Sequence, residues 1–226
     1  MEALSDRKIL DSWAKNVSPW IKAIKNGQIE SRRITTDQAI IETITSVSGN
    51  KVLDIGCGEG WLVRELLFLG LSVTGIDAIE ALINKAKELG DGLYKVLEYE
   101  EMSSRTIDEK YDIAVCNFSL LGKESVEHIF KIIPSILNDN GYFIIQTLHP
   151  NVSCGELPYI DGWREGSWTG FSSEFSEPAP WYFRTIESWS NLFHNNGLKL
   201  IQLKEPINLN TGKPASLIMI GHVANQ

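Results

Sequence analysis

Cysteine is scarce: Cys57, Cys116 and Cys154 are the three in 226 residues, and they stand far apart. An odd, scattered set excludes a fully paired disulfide frame, and no Cys-x-x-Cys step offers a zinc site. The pattern predicts reduced thiols and a cytoplasmic setting. Cys57 and Cys116 fall at predicted strand ends and read as small buried hydrophobes. No run of about 18 apolar residues exists, so no membrane span is expected. Positive charge is in deficit, with 21 Lys+Arg against 29 Asp+Glu and a net charge of −8. That balance leaves no electrostatic footprint for nucleic acid or anionic lipid. The start, Met1 to Asp6, lacks a basic stretch followed by an apolar one, so no secretion leader is expected. Repeats and low-complexity segments are absent. The length suits one α/β domain with decorations, taken as residues 1–226. No oligomeric state is assigned.

What is present is organised around Val52-Leu53-Asp54-Ile55-Gly56-Cys57-Gly58-Glu59-Gly60-Trp61-Leu62. An apolar run predicts a buried strand. Three glycines follow, where the chain turns and a ligand can approach the backbone closely. Leu62, Val63, Leu66 and Leu67 then recur at helical spacing. A strand, glycine loop and helix of this kind bind nucleotide-like ligands in doubly wound folds, although three glycines also suit a plain βα turn.

Before this unit, residues 1–48 form a helical arm. Leu10, Trp13, Val17, Trp20, Ile21 and Ile24 make one apolar stripe, Ser18-Pro19 predicts a break, and Thr35-x-x-Gln38 reads as a capping box. After it, strand and helix patterns alternate, predicting a mostly parallel sheet. Strands are expected at 51–55, 71–76, 94–97, 111–116 and 142–148, and Pro134 should kink the helix before the last of these. Residues 149–184 break the rhythm with many aromatics and are read as an ordered lid. Thr185 caps a further helix, and strands 198–203 and 216–223 should pair antiparallel because no helix connects them.

Nicotinamide enzymes use Gly-x-Gly-x-x-Gly and an acid about 20 residues on. Here the third glycine, Gly60, comes one position early, and Asp54 lies inside the strand. A pyrophosphate disfavours that carboxylate; a cationic ligand favours it. The first motif around Asp54, Gly56, Gly58 and Gly60, Asp77 ending the second strand, and Tyr111-Asp112-Ile113-Ala114-Val115-Cys116-Asn117 resemble the class I S-adenosylmethionine-dependent methyltransferases. The closing segments from Arg184-Thr185 and Glu205-Pro206 onward are similar to ubiquinone-biosynthesis-type O-methyltransferases. The resemblance implies a Rossmann-like, seven-stranded, mostly parallel sheet with an antiparallel last strand, S-adenosylmethionine as cofactor, and a small-molecule acceptor. It implies cofactor contacts from Asp54, Gly56, Cys57, Gly58, Gly60, Asp77, Ala78, Glu98, Tyr99, Asn117 and Phe118. Asp54 would face the ligand's ammonium or cap the loop. Asp77 would accept from the ribose hydroxyls or cap the next helix. Glu98 stands where the family usually has Asp, and a solvated charge is the alternative. Phe118 and Leu121 would pack the ligand or the core.

On the acceptor side, His149 ends the fifth strand and is the candidate base, with a loop-bonded histidine as the alternative. Trp13, Trp20, Trp163, Trp168, Trp181 and Tyr182 suggest an apolar pocket for a ring-shaped acceptor, or core packing under a long loop. No metal-binding acid cluster is visible, so metal independence is expected. The expected activity is methyl transfer to an aromatic or quinol-like hydroxyl. The alternatives are a nicotinamide-dependent oxidoreductase and a non-catalytic protein that binds S-adenosylmethionine.

Overall fold

The computed structural model describes residues 3–223; Met1 and Glu2, part of the start for which no secretion leader is expected, lie outside them. Seven strands form the central sheet: β1 (Lys51–Ile55), β2 (Ser72–Asp77), β3 (Leu93–Val96), β4 (Tyr111–Asn117), β5 (Leu137–Thr147), β8 (Leu198–Lys204) and β11 (Leu217–Val223). Their order is β3-β2-β1-β4-β5-β11-β8. β1 to β5 pair in parallel, and β11 runs antiparallel to both β5 and β8. The expected sheet, with its antiparallel final strand, is the one observed.

Alternation along the strands divides the core in two, because successive side chains point to opposite faces. Leu53, Ile55, Ala114, Phe143 and Ile145 join α6 (Glu124–Ile136) and α8 (Ile186–Asn195) on one face. Val52, Val73, Ile113, Val115 and Ile144 join α3 (Asp37–Thr45), α4 (Trp61–Phe68) and α5 (Glu80–Leu89) on the other. Thr185 caps α8 as expected, its hydroxyl accepting from Ser188 N at 3.1 Å.

Three local expectations are corrected. The arm breaks at Asn16, between α1 (Asp6–Lys15) and α2 (Val17–Lys25), leaving Pro19 in the first turn of α2 where its missing N–H costs nothing. No capping box opens α3, because the chain is already helical over Arg32–Thr36; the Thr35 hydroxyl has no partner, and Gln38 bonds Glu42 instead. The turn expected at 138–141 lies inside β5, where pairing with β4 jumps from Tyr111↔Leu137 to Ile113↔Tyr142. Pro134 sits in the last turn of α6 without ending it.

Short elements complete the chain. α7 (Pro150–Ser153) follows β5; β6 (Gly162–Arg164) and β7 (Trp181–Phe183) pair across the lid; β9 (Ile207–Asn208) and β10 (Lys213–Pro214) pair between β8 and β11. No helix among the described residues is long and apolar enough to cross a membrane.

Candidate functional site

The site begins where β1 runs into its glycines. Gly56 N and Cys57 N donate to Ile76 O at 2.8 and 2.9 Å, which bends the loop over the end of β2. Asp77 then holds it from below: one carboxylate oxygen accepts from Gly58 N at 2.9 Å, the other from Ile79 N at 2.8 Å. Asp77 thus braces the backbone on both sides of the turn and also lines the cavity. Gly58 alone of the three glycines has open space where a Cβ would be, its nearest neighbour being Trp20 Nε1 at 3.9 Å. A Cβ on Gly60 would strike Tyr94 at 2.7 Å, so that glycine serves the packing of the loop on its own protein.

Three carboxylates gather under the loop. Asp54 is buried beside Asp77 and Glu59, and its carboxyl is pushed up to about 8 by burial first, then by the charges of those two acids. Burial likewise raises Asp77, although the Ile79 and Gly58 amides oppose the shift. Glu59 is paired with Arg64 at 2.6 Å through one oxygen, while its other oxygen is buried without a partner. A cationic ligand relieves this arrangement; an anionic one aggravates it.

The raised Asp54 carboxyl makes a stability prediction. A group protonated in the native state but ionised in the unfolded chain contributes stability that is complete below the unfolded value of 3.8 and lost as pH rises through about 8. Without ligand, Asp54→Asn should remove a slope on the order of 1 kcal/mol per pH unit between about pH 5 and 7. Urea unfolding of both proteins across that range checks it; parallel curves would contradict the Asp54 environment.

The end of β4 supplies the opposite rim. Asn117 Oδ1 is buried there with no hydrogen-bond partner. Phe118 has φ +53, a left-handed conformation rare for an aromatic residue and concentrated at ligand sites. It is fixed by Phe118 N donating to Gln146 O at 2.7 Å and by Ser119 Oγ donating to Ile55 O at 2.7 Å. Tyr99 lies buried against the same turn, its phenol held well above the usual range by burial.

Between these rims lies a cavity of about 370 Å³ at the carboxyl edge of the sheet. Gly56, Cys57, Gly58, Asp77 and Ala78 form one wall, and Tyr99, Asn117 and Phe118 continue it. The other wall comes from the arm and the lid: Trp13 and Trp20 from the first, Trp168 and Phe171 from the second. Their rings meet edge to face, Trp13 to Trp20 at 4.9 Å and Trp13 to Trp168 at 5.9 Å. Polar contacts lock arm to lid. Ser12 Oγ donates to Glu177 O at 2.6 Å, Asn16 exchanges two bonds with Ser176, and Lys22 pairs with Glu174 at 2.5 Å. From the apolar stripe, Leu10, Trp13 and Trp20 reach the cavity half-exposed, while Ile9, Ser12, Asn16, Pro19 and Ala23 make the arm's buried face.

Several expected site residues stand elsewhere. His149 is 3% exposed and off the cavity wall; its Nε2 meets Glu205 Oε1 at 2.6 Å and its Nδ1 is buried unpaired. Thr147 and Leu148 take the wall instead. His149→Ala should leave cofactor affinity and turnover within about threefold of wild type and lower the melting temperature by several degrees, having removed a buried ring and its bond to the half-exposed Glu205. A loss of turnover above tenfold with intact cofactor binding would restore it as a base. Glu98 is off the wall, and Glu100 is on it. Trp163 and Tyr182 pack on each other at 5.6 Å in the β6–β7 hairpin, while Trp181 and Tyr182 border a separate small pocket of about 10 Å³. Asp54 and Gly60 lie behind the wall.

Arg32 and Asp6 are among the wall residues that escaped the sequence reading. Arg32 is the single cation among the described wall residues; it bonds Asp37 at 2.9 Å and lies over Trp61 at 4.5 Å. Asp6 joins the wall from the start of the arm. Neither belongs to a recognisable motif, and their positions depend on contacts far along the chain. Among the described residues no group of three or more His, Cys, Asp or Glu is arranged to hold a metal ion.

A sheet in this order, with a glycine loop after β1 and an acid ending β2, defines the Rossmann-like class that binds its ligand at the carboxyl edge. Residues 31–203 match a family model described as a methyltransferase domain, and the chain belongs to the class I S-adenosylmethionine-dependent methyltransferase family. The ubiquinone biosynthesis O-methyltransferase of Rickettsia felis is 30% identical over 198 residues, covering 78% of this chain and 77% of that protein. A protein of the same name from Bradyrhizobium diazoefficiens is 30% identical over 139 residues, which are 58% of this chain and 53% of the relative. The chain thus spans about half the length of that relative. The S-adenosylmethionine-dependent methyltransferase of Mesorhizobium loti shares the fold with a TM-score of 0.63 at 19% identity, covering 82% of this chain and 96% of that one. Magnesium protoporphyrin IX methyltransferase from Synechocystis PCC 6803 does so with a TM-score of 0.64 at 16% identity, covering 99% and 100%.

Proposed function

We propose that the protein transfers a methyl group from S-adenosylmethionine to a hydroxyl of a small, ring-bearing acceptor. The observation that carries this reading is the single cavity joining the Gly58–Asp77 wall to the tryptophan wall. Bound there, the cofactor would supply an electrophilic methyl on a sulfonium whose departure needs no acid from the protein. Asp54, Glu59 and Asp77 give the donor end a field suited to a cation. The remaining lone pairs of Asp77 suit ribose hydroxyls, and the unpaired Asn117 Oδ1 suits an N–H donor. Arg32 is the group on this wall that suits a carboxylate. Tyr99 and Phe118 offer apolar surface to an adenine ring.

The tryptophans align a flat apolar acceptor and exclude water, so alignment contributes more than any histidine base. A hydroxyl acceptor is supported by the relatives named for O-methylation in ubiquinone biosynthesis. The acidic net charge favours a small molecule over nucleic acid, and three unpaired thiols favour the cytoplasm. Calorimetry with S-adenosylhomocysteine and NAD, then transfer of labelled methyl to a panel of phenols and catechols, tests the proposal. Binding of the first ligand alone and label on oxygen are expected. Binding of NAD alone, or label confined to nitrogen or carbon, would overturn it.

A further inference from the structure

The acceptor side of the cavity holds a carboxylate that a neutral ring does not require. Asp6 comes from the first turn of α1 and reaches the start of α6. Its Oδ1 accepts from Lys123 N at 2.8 Å and its Oδ2 from Ser125 N at 2.7 Å. Gly122 permits this approach, since a Cβ there would stand 2.6 Å from Asp6 Oδ2. The carboxylate is thus fixed at the wall of the cavity with one amide on each oxygen, and a carboxylate accepts about four hydrogen bonds in all.

The cations around it are held by other groups. Arg7, Lys15, Arg32 and Arg64 pair with other acids. Arg184, whose charge reaches it, is engaged by the carbonyls of Gly122 and Lys123 at 2.8 and 3.0 Å and lies over the Tyr182 and Trp189 rings. Arg32 is held by Asp37 and Trp61. The other acids belong to β1, β2, the glycine loop and the turn at Glu100, so Asp6 is a separate anionic point, delivered by the arm. The same arm brings Trp13 and Trp20, and the lid brings Trp168. Indole is the side chain that attracts cations best, and desolvation strengthens both that attraction and the pull of a carboxylate.

We propose that the acceptor carries a positively charged nitrogen, seated by Asp6 and the tryptophan wall. A phenolate- or carboxylate-bearing acceptor would meet Asp6 as a like charge, and a neutral ring would strip water from it without return. The nitrogen is a recognition handle and not the methylated atom, because a charged nitrogen has no lone pair to attack a sulfonium. The proposal rests on the methyltransferase reading above and narrows its acceptor.

The experiment uses the full chain saturated with S-adenosylhomocysteine, with tryptophan fluorescence as readout. Three probes of similar shape are titrated: benzyltrimethylammonium, its neutral isostere neopentylbenzene, and anionic phenylacetate. The cation is expected to bind at least about tenfold tighter than the other two. Asp6→Asn, which keeps a capping side chain, should cut that preference to within about threefold, and Trp168→Leu should weaken the cation more than the neutral probe. Equal or tighter binding of the neutral or anionic probe to wild type would overturn the proposal without any variant. So would a preference unchanged in a folded Asp6→Asn protein. Absence of S-adenosylhomocysteine binding in the first titration would instead sink the cofactor reading, and the two failures are read separately.

Discussion

Asp77→Ala is expected to weaken binding of S-adenosylhomocysteine by at least about a hundredfold, about 2.7 kcal/mol. The side chain does two jobs at once. It holds Gly58 and Ile79 by their amides, and it presents its remaining lone pairs to the cavity. Loss of both loosens the loop and removes the proposed ribose acceptor, and each charge-assisted bond is worth about 1.5–3 kcal/mol. Stability should change less than affinity, because the same substitution removes a buried carboxylate that its surroundings already disfavour. Calorimetry gives the affinity and urea unfolding gives the stability. An unchanged affinity would remove Asp77 from the site.

Gly56→Ala is expected to be the most damaging single methyl group in the loop. The backbone there has φ +77, and the new Cβ would stand 2.3 Å from Tyr99 Oη and 2.4 Å from Ser119 Cβ. Neither neighbour yields freely: Ser119 is bonded to Ile55 O, and Tyr99 is buried against the same turn. Left-handed strain of about 1–2 kcal/mol and overpacking of about 1–3 kcal/mol should together cost about 2–5 kcal/mol. Gly58→Ala makes the contrast, with φ +58 but open space beyond. Its stability loss should stay near the strain value of about 1–2 kcal/mol, while its methyl intrudes on the cavity and lowers cofactor affinity. Equal denaturation midpoints for the two variants would contradict the packing described.

The sheet was legible because its signals are local. Apolar runs, glycine turns and helical stripes recur within ten residues, so β1, β2 and the glycine loop stand where their patterns predict. Asp77 was legible for the same reason, since a fixed spacing links it to the loop. The rest depends on contacts across the chain. His149 follows β5 by two residues instead of ending it, its ring turns to Glu205, and no pattern near residue 149 announces that partner. Trp163, Trp168, Trp181 and Tyr182 look alike in sequence. The β6–β7 pairing holds Trp163 and Tyr182 against each other and leaves Trp168 to reach Trp13. The arm misled in a different way. An apolar stripe normally marks the side facing a core, but here Leu10, Trp13 and Trp20 line a cavity, and the buried face sets Ser12 and Asn16 among Ile9, Pro19 and Ala23, with lid carbonyls as their partners. Arg32 and Asp6 were invisible because a lone charge in a helical arm looks like any solvated one.

The Asp6 contact has one more consequence. The first turn of α6 has no capping side chain of its own, and two of its free amides are satisfied by a residue from the opening turn of the chain. Exchange of the Lys123 and Ser125 amide protons with solvent therefore reports whether the arm is docked, independently of what fills the cavity. Those two protons form a clock for opening of the site: their exchange rate in the free protein measures how often the arm lifts, and their slowing in a ternary complex measures how long substrates stay enclosed.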